Sequence, residues 1–313
     1  MLIHVGGRTD ITHYYSEWLL NRIREGYALS RNPLFPHRVT RYVLDPALVD
    51  CILFCTKNPV PIMDKLEEIR ARGFRMFFYV TITGYGKDIE PRVPGIRETA
   101  RAFRELSRAV GVRNICWRYD PIFITPRYTV EHHLECFDAL AGELAPFTGF
   151  CVFSFVELYK KLRATFPELR AVSEDEKRLL LHGMGRIAAR RGLRLQTCGD
   201  GGDYARFGIH ASGCMTAPIL EKAIGQELKA VKPRPTRKGC DCIPVNDIGA
   251  YDTCPSGCRY CYATKNPRLA LANHKNHDPH SPLLIGGIRP GDTITDARQV
   301  SFRRPGARQF SLL

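Results

Sequence analysis

"CILFCTK", residues 51–57, is an almost wholly apolar run that ends in a threonine and a lysine. A strand exposed on one face alternates polar and apolar residues, whereas a parallel strand covered on both faces is apolar throughout. Similar runs recur along the chain at 2–7, 76–84, 114–120, 149–157 and 193–199. Together these six runs predict the parallel strands of one buried sheet.

Helical patterns lie between the predicted strands. They cover about 13–25, 60–72, 94–111, 128–145 and 173–191, with a further helix at about 215–230. Regular strand–helix alternation predicts an α/β fold, a partial (β/α) TIM-like barrel, with functional groups at the carboxyl ends of its strands. We expect residues 1–230 to form the barrel core. Residues 231–313 should form a C-terminal cluster-binding segment that completes the barrel, followed by a tail.

The composition restricts the class of protein. The 313 residues include 46 Lys and Arg against 32 Asp and Glu, a net charge of +14. This excess suits anionic partners such as nucleic acid, and equally suits a solvated basic surface. The first residues show no signal-peptide pattern, no apolar run reaches membrane-spanning length, and the twelve cysteines have the spacing of ligands. We therefore expect a cytoplasmic protein that has no membrane partner.

Three cysteines are crowded into "DTCPSGCRYCYA", residues 252–263. Cys254, Cys258 and Cys261 have the spacing C-x3-C-x2-C, which lets one loop direct three thiolates at a metal centre. Cysteine is the usual ligand of iron–sulfur clusters, and three ligands on a four-iron cluster leave one iron open for a small molecule. The alternatives are a zinc knuckle or ordinary buried cysteines. Zinc sites usually pair two C-x2-C units, so we favour a 4Fe-4S cluster.

The cysteine segment resembles the signature of the radical S-adenosylmethionine superfamily, through the three cysteines and Tyr260. The resemblance implies that the open iron binds the amino and carboxylate groups of S-adenosyl-L-methionine, with Tyr260 beside the adenine. It also implies an external reductant such as flavodoxin or ferredoxin. The superfamily has this motif after its first barrel strand, whereas here it comes late in the chain. A circularly permuted barrel would explain the order, with 245–253 as the first strand and 2–7 as the next.

Two further motifs resemble the spore photoproduct lyase branch of that superfamily. Gly6 and Gly7 stand where the superfamily holds the methionine amine through a Gly-Gly-acidic motif. Thr9-Asp10-Ile11 and Thr56-Lys57-Asn58 resemble the branch's paired motifs, which implies that Lys57 binds the methionine carboxylate. Because Asp10 lies two residues later than the usual acid, backbone contacts of the two glycines are the expected ones. The chain also resembles a bacterial family of unknown function that has "RTDI", "TKNP" and "WRYDPI" in this order.

The end of the strand at 114–120 offers another candidate. Arg118 and Asp120 flank Tyr119 and would hold the cofactor's ribose, hold substrate, or form a structural ion pair at the rim of the barrel. The residues do not distinguish these roles, and we list Arg118 with the cofactor-binding residues Gly6, Gly7, Thr9, Lys57 and Tyr260.

Four other cysteines indicate a second metal site. Cys198 ends the last strand, Cys214 follows a glycine-containing loop, and Cys240 and Cys242 form a C-x-C unit among polar residues. Four such ligands suit an auxiliary 4Fe-4S cluster or structural zinc, and we slightly favour the cluster. The remaining cysteines lie in apolar strands or a helix and are expected to pack as small hydrophobic residues. They are Cys51, Cys55, Cys116, Cys136 and Cys151.

These observations predict a radical S-adenosylmethionine enzyme whose catalytic side chains the sequence does not identify. Its substrate is unassigned, and nucleic acid or another anionic molecule is a candidate because of the basic charge. The alternative is a zinc-stabilised nucleic-acid-binding protein without catalysis. The chain has no GxGxxG turn after a strand, no Walker A loop and no GxSxG elbow, so three common α/β enzyme classes lack support.

Overall fold

A computed structural model describes residues 1–198, 202, 204–234 and 240–305. The strands in chain order are β1 (Leu2–His4), β2 (Tyr27–Arg31), β3 (Arg38–Val43), β4 (Cys51–Thr56), β5 (Met76–Thr81), β6 (Ile115–Ile122), β7 (Cys151–Phe155), β8 (Leu195–Thr197), β9 (His210–Ala211), β10 (Asn246–Asp247) and β11 (Thr293–Asp296). The α-helices are α1 (Ile11–Tyr14), α2 (Ser16–Glu25), α3 (Leu66–Ala71), α4 (Ile96–Val110), α5 (Val130–Leu144), α6 (Leu162–Thr165), α7 (Glu174–Arg190), α8 (Ala217–Ile224) and α9 (Pro267–Lys275). Short 3-10 helices lie at Val60–Lys65, Val112–Asn114, Ala145–Phe147 and Ala205–Phe207.

Eight strands form one parallel sheet in the order β10-β1-β4-β5-β6-β7-β8-β9. The predicted α/β architecture is confirmed. Each of the six apolar runs overlaps one of these strands, and β6 continues two residues beyond its run. The sheet is TIM-barrel-like, but within the described residues no strand pairing joins β9 to β10, so it is not a closed barrel. Residue 199 of the last predicted strand, and 235–239 and 306–313 of the predicted C-terminal segment, lie outside the described residues.

Strand β10, from late in the chain, lies at the edge of the sheet beside β1. Its register pairs Asn246 with Ile3 and Asp247 with His4, in parallel. The strand predicted over 245–253 is therefore much shorter than expected. The carboxylate of Asp247 accepts the N–H of Gly249 at 2.9 Å, and this local hydrogen bond turns the chain out of the sheet.

A second sheet was missed by the sequence analysis. It has the order β11-β3-β2, with β2 and β3 antiparallel and β11 parallel to β3. Its strands carry many polar residues, and all four residues of β11 are exposed. A search for buried apolar runs could not detect this sheet, because β11 is wholly exposed and β3 has a single buried residue.

The main sheet is covered on both faces, as its apolar strands predicted. One face packs against the long helices through Ile3, Ile52, Phe54, Phe78, Trp117 and Phe153. The opposite face carries Leu2, Leu53, Phe77, Tyr79, Cys116 and Val152, which pack with helix α8 and with four buried cysteines. Successive side chains of one strand therefore point into two different hydrophobic cores. Because both faces are buried, polar residues are rare until the strands end.

Helix α7 begins where the sequence predicted. The hydroxyl of Ser173 accepts the N–H of Glu176 at 3.2 Å, and the Glu176 carboxylate accepts the N–H of Ser173 at 2.9 Å. This reciprocal capping box satisfies two backbone donors that a helix start leaves without partners. In the part of the chain that the structure describes, no helix combines the length and apolar character needed to cross a membrane.

Candidate functional site

The carboxyl ends of the parallel strands meet at one edge of the main sheet, which we call the mouth. It is formed by the residues that follow β10, β1, β4, β5 and β6. In a parallel α/β sheet this edge collects the polar side chains of otherwise apolar strands. Gly6 and Lys57 lie here, after β1 and β4. Arg118 lies within β6, where it pairs with Thr81 at the end of β5, so it is level with the mouth but not at the end of its own strand.

The segment 252–263, which we call the cysteine loop, is fastened to the mouth by its backbone and tyrosines. The hydroxyl of Tyr262 donates to the carbonyl of Gly7, and the hydroxyl of Tyr260 donates to the carboxylate of Glu90. The N–H of Arg259 donates to the carbonyl of Ile89 at 3.0 Å. The loop therefore contacts both the turn after β1 and the segment after β5.

The three thiols of the cysteine loop are half-buried and form no disulfide. Cys254, Cys258 and Cys261 are near enough to interact electrostatically. However, these three sulfurs do not all lie within 4.8 Å of one another. Burial raises the pKa of Cys254 to about 11, and it also raises that of Cys258, although the nearby Lys57 ammonium opposes the second shift. Metal binding here would release protons.

Lys57 belongs to a buried charged cluster that the sequence analysis did not foresee. Its ammonium lies 2.8 Å from the Glu90 carboxylate and 5.7 Å from the centre of the Tyr260 ring. The oxygen that accepts from Lys57, Oε1 of Glu90, also accepts the hydroxyl of Thr83 at 2.9 Å. An ammonium has three donors, so Lys57 can keep this ion pair and still bind a carboxylate of a ligand.

Asp10 fixes the backbone around Lys57 instead of contacting a ligand through a free oxygen. Its carboxylate accepts the Thr56 hydroxyl and the Lys57 N–H, both at 2.9 Å, and it also caps helix α1 through the N–H of His13. Burial raises the pKa of Asp10 to about 6. Its neighbour Thr9 is buried, and no described group hydrogen-bonds the Thr9 hydroxyl.

Gly6 and Gly7 are required by close packing. A Cβ on Gly6 would lie 2.2 Å from the carbonyl oxygen of Cys55, and one on Gly7 would lie 2.6 Å from the Asp247 carboxylate. A side chain at Gly6 would separate β1 from β4, whereas one at Gly7 would displace the side chains of Asp247 and His4. The N–H of Gly7 donates to Asp247 at 2.8 Å, and its carbonyl accepts Tyr262, so both of its backbone groups already have partners.

Arg118 forms the structural ion pair that was one of its predicted roles. Its guanidinium lies 2.5 Å from the Asp120 carboxylate, which also accepts the hydroxyl of Ser154. Another guanidinium nitrogen lies 3.6 Å from the sulfur of Cys55. Burial tends to raise the pKa of the Cys55 thiol, but Arg118 and His4 outweigh it, and the pKa is lowered. Cys55 is therefore a polarised thiol near the mouth, and not simply a small hydrophobic residue.

His4 joins β1 to β10 through an ion pair with Asp247, at 3.2 Å from Nδ1 to the carboxylate. Burial alone would lower the pKa of His4, but hydrogen bonds with Asp247 and Cys55 outweigh it and raise the pKa to about 9. A histidine with a raised pKa stabilises the fold fully below its unfolded pKa, and this stability is lost as the pH rises through the folded value.

As the pH rises from roughly 6.5 to above 9, we expect His4 to contribute a fall of about 3 kcal/mol to the free energy of unfolding. Chemical denaturation over this range measures the fall, and His4→Gln should abolish most of it. The exposed His182 provides a control, because His182→Gln should leave the pH dependence unchanged. An undiminished fall in the His4→Gln protein would show that another group is responsible.

A second group of cysteines lies on the face of the sheet covered by helix α8. The sulfurs of Cys198, Cys240 and Cys242 all lie within 4.8 Å of one another, and this buried group could hold a metal ion. Cys214 lies beside this group, with its sulfur 3.7 Å from that of Cys242, but its sulfur is not within 4.8 Å of all three others. Hydrogen bonds shared among the thiols lower the pKa of Cys198 and Cys242 and raise that of Cys214. The structure thus brings together the four cysteines that the sequence grouped.

Sequence reasoning missed several residues of the mouth. Glu90, Asp247, Cys55 and Tyr262 each contact a predicted site residue. Glu90 gave one signal, since it lies in the polar segment that follows an apolar strand. The contacts of Tyr262 and Asp247 depend on segments more than two hundred residues apart, which no local pattern reveals.

Residues 2–263 match the model of a family described as a domain of unknown function, DUF1848. The match includes all seven cysteines of the two groups and ends at the last residue of the cysteine loop. No curated protein matches the chain.

Proposed function

The chain belongs to the DUF1848 family, and we propose that it is a radical S-adenosylmethionine enzyme on a circularly permuted, partial TIM-like barrel. Cys254, Cys258 and Cys261 are assigned as the ligands of a 4Fe-4S cluster. The observation that carries the proposal is the attachment of the cysteine loop to the mouth, through Tyr262 and Gly7 on one side and Tyr260 and Glu90 on the other.

The three thiols fit such a cluster in number, exposure and spread. Each thiolate of a four-iron cluster binds a different iron, so the sulfurs need not converge on one point. Those of the cysteine loop are spread beyond 4.8 Å within the described structure, and all three are half-buried. When bound, the cluster supplies the electron that cleaves the sulfonium of S-adenosylmethionine to a 5′-deoxyadenosyl radical.

The strand order supports the permutation. Strand β10 lies beside β1 on the side away from β4, and the cysteine loop follows β10 in the chain. In space, therefore, β10 and the cysteine loop that follows it come first, and β1, which leads to Gly6 and Gly7, comes next. This is the order that the superfamily resemblance requires, although in the chain these elements stand at opposite ends.

The residues around the loop would bind the methionine end. Lys57 is aligned by its backbone hydrogen bond with Asp10 and by its ion pair with Glu90. Glu90 is the only described group that accepts a hydrogen bond from the Lys57 ammonium, which leaves two protons for a carboxylate. The buried Thr9 hydroxyl, which no described group hydrogen-bonds, adds a polar group to the same region. Tyr260, held by Glu90, would limit the space beside the cluster and exclude water.

Anoxic reconstitution tests the proposal. The protein loaded with iron and sulfide should hold about four irons per chain in the cysteine loop and show a broad brown absorption from thiolate-to-iron charge transfer. After reduction with S-adenosylmethionine present, 5′-deoxyadenosine should be detected by chromatography. A colourless protein that holds zinc in the cysteine loop, and binds DNA with a steep dependence on salt, would contradict the proposal and favour the nucleic-acid-binding alternative.

A further inference from the structure

The second cysteine group differs from the cysteine loop in geometry, and the difference points to a different metal. We propose that Cys198, Cys214, Cys240 and Cys242 bind one zinc ion, which links the two edges of the main sheet. This reverses the preference for an auxiliary four-iron cluster that the sequence alone gave. The proposal goes beyond the function assigned to the cysteine loop and does not depend on it.

The spacing of the sulfurs favours a single ion. In a tetrahedral site with Zn–S bonds of about 2.3 Å, two ligand sulfurs stand about 3.8 Å apart. The sulfurs of Cys214 and Cys242 are 3.7 Å apart, and those of Cys198, Cys240 and Cys242 all lie within 4.8 Å of one another. The thiols of Cys214 and Cys198 also hydrogen-bond with each other. Ligands of four separate irons would be spread around a cluster instead of meeting at one point.

The site is closed, as structural zinc sites are. All four cysteines are buried, with at most 8% of each residue exposed, and four protein ligands complete a tetrahedron. The cysteine loop instead offers three half-buried thiols, which suits a centre that must keep one position open for a ligand. Tetrahedral coordination by four thiolates is typical of zinc and of iron–sulfur centres, and a closed site for a single ion favours zinc.

The surroundings suit a centre with a net negative charge. Four thiolates around Zn²⁺ carry a charge of about −2, because each cysteine loses its proton on binding. The buried guanidinium of Arg118 interacts electrostatically with Cys198 and Cys214, and no described group hydrogen-bonds its Nε. The N–H of Met215 donates to the sulfur of Cys242 at 3.3 Å. Such donors orient thiolate ligands and stabilise their charge.

The ligands come from opposite edges of the sheet. Cys198 directly follows β8 and Cys214 follows β9, at one edge, whereas Cys240 and Cys242 precede β10, at the other. Asn246 lies only four positions after Cys242, so the chain can span at most about 14 Å between the site and β10. A zinc ion here would hold together two edges that no strand pairing joins in the described structure.

Metal analysis tests the proposal without use of activity. A Cys254→Ala, Cys258→Ala, Cys261→Ala variant, purified without added metal, should hold about one zinc and almost no iron per chain. Replacing its zinc with cobalt should give the intense visible bands of tetrahedral cobalt bound by thiolates. In that background, Cys240→Ser and Cys242→Ser together should lower the zinc content at least tenfold, while Cys136→Ala in helix α5 should leave it unchanged.

Two outcomes would overturn the zinc assignment. One is iron and sulfide in equal amounts, in place of zinc, in the variant that lacks the cysteine loop thiols. The other is zinc that persists after both Cys240 and Cys242 are replaced. If the variant with Cys240→Ser and Cys242→Ser does not fold, alkylation of the variant that lacks only the three cysteine-loop thiols tests the zinc assignment. Removal of zinc from that variant should make four further thiols reactive, which the zinc-bound protein protects.

Discussion

Replacing Cys258 with alanine should remove the iron of the cysteine loop and abolish the cleavage of S-adenosylmethionine. Two cysteines cannot hold a four-iron cluster that is already one ligand short. Cys258 is chosen because Lys57, the proposed carboxylate-binding residue, is near enough to interact electrostatically with its thiol. We expect iron to fall from about four atoms per chain to nearly none, and 5′-deoxyadenosine to fall below detection.

The matched control is Cys136→Ala, which removes a half-buried thiol of helix α5 that is outside both cysteine groups. This variant should keep its iron and its activity. Iron and sulfide analysis, the visible spectrum and the deoxyadenosine yield are measured on both variants after the same anoxic reconstitution. If Cys258→Ala retains a full complement of iron and cleaves S-adenosylmethionine, the cluster is held elsewhere.

Lys57→Met should both destabilise the protein and weaken the binding of S-adenosylmethionine. Glu90 is buried and its carboxylate pairs with Lys57 at 2.8 Å, so the substitution leaves a buried charge without its cation. Removing one partner of a buried pair costs about 3–5 kcal/mol in the free energy of unfolding. Lys177→Met is the control, because Lys177 pairs with the exposed Glu174 and a surface pair contributes at most about 1 kcal/mol.

A second substitution separates the two effects of Lys57. In Lys57→Met combined with Glu90→Gln, the uncompensated carboxylate is absent, and most of the lost stability should return. Affinity for S-adenosylmethionine should stay low, because the proposed partner of its carboxylate is still missing. Denaturation and equilibrium binding under anoxia measure the two properties. Recovery of both stability and affinity in the double variant would show that Lys57 is structural and does not contact the cofactor.

The strands of the main sheet could be predicted because their environment is uniform. A strand such as β5 is buried along its whole length, so every residue from Met76 to Thr81 carries the same signal. The small second sheet has no such uniformity, and β11 is wholly exposed. Strand β10 was predicted in the right position but at the wrong length, because the side chain of Asp247 turns the chain after two residues.

The candidate sites were predictable as sets of residues, but not as geometries. The spacing within 252–263 identified three cysteines as one unit, and polar residues at strand ends identified Lys57 and Arg118. The partners that position them could not be found this way, since Glu90 reaches Tyr260 across 170 residues. Sequence spacing also does not show how far apart the sulfurs of a group lie. That distance separates the two cysteine groups, because the sulfurs of Cys198, Cys240 and Cys242 lie within 4.8 Å of one another and those of the cysteine loop do not.

In the proposed enzyme, the cysteine loop holds a cluster with one iron open to S-adenosylmethionine. Electron–nuclear double resonance of the reduced cluster tests this assignment most directly, with S-adenosylmethionine isotopically labelled at the amine nitrogen and at a carboxylate oxygen. The account predicts hyperfine coupling from both labelled atoms in the wild-type protein. A reduced cluster that shows neither coupling, at a cofactor concentration that saturates the protein, would contradict it.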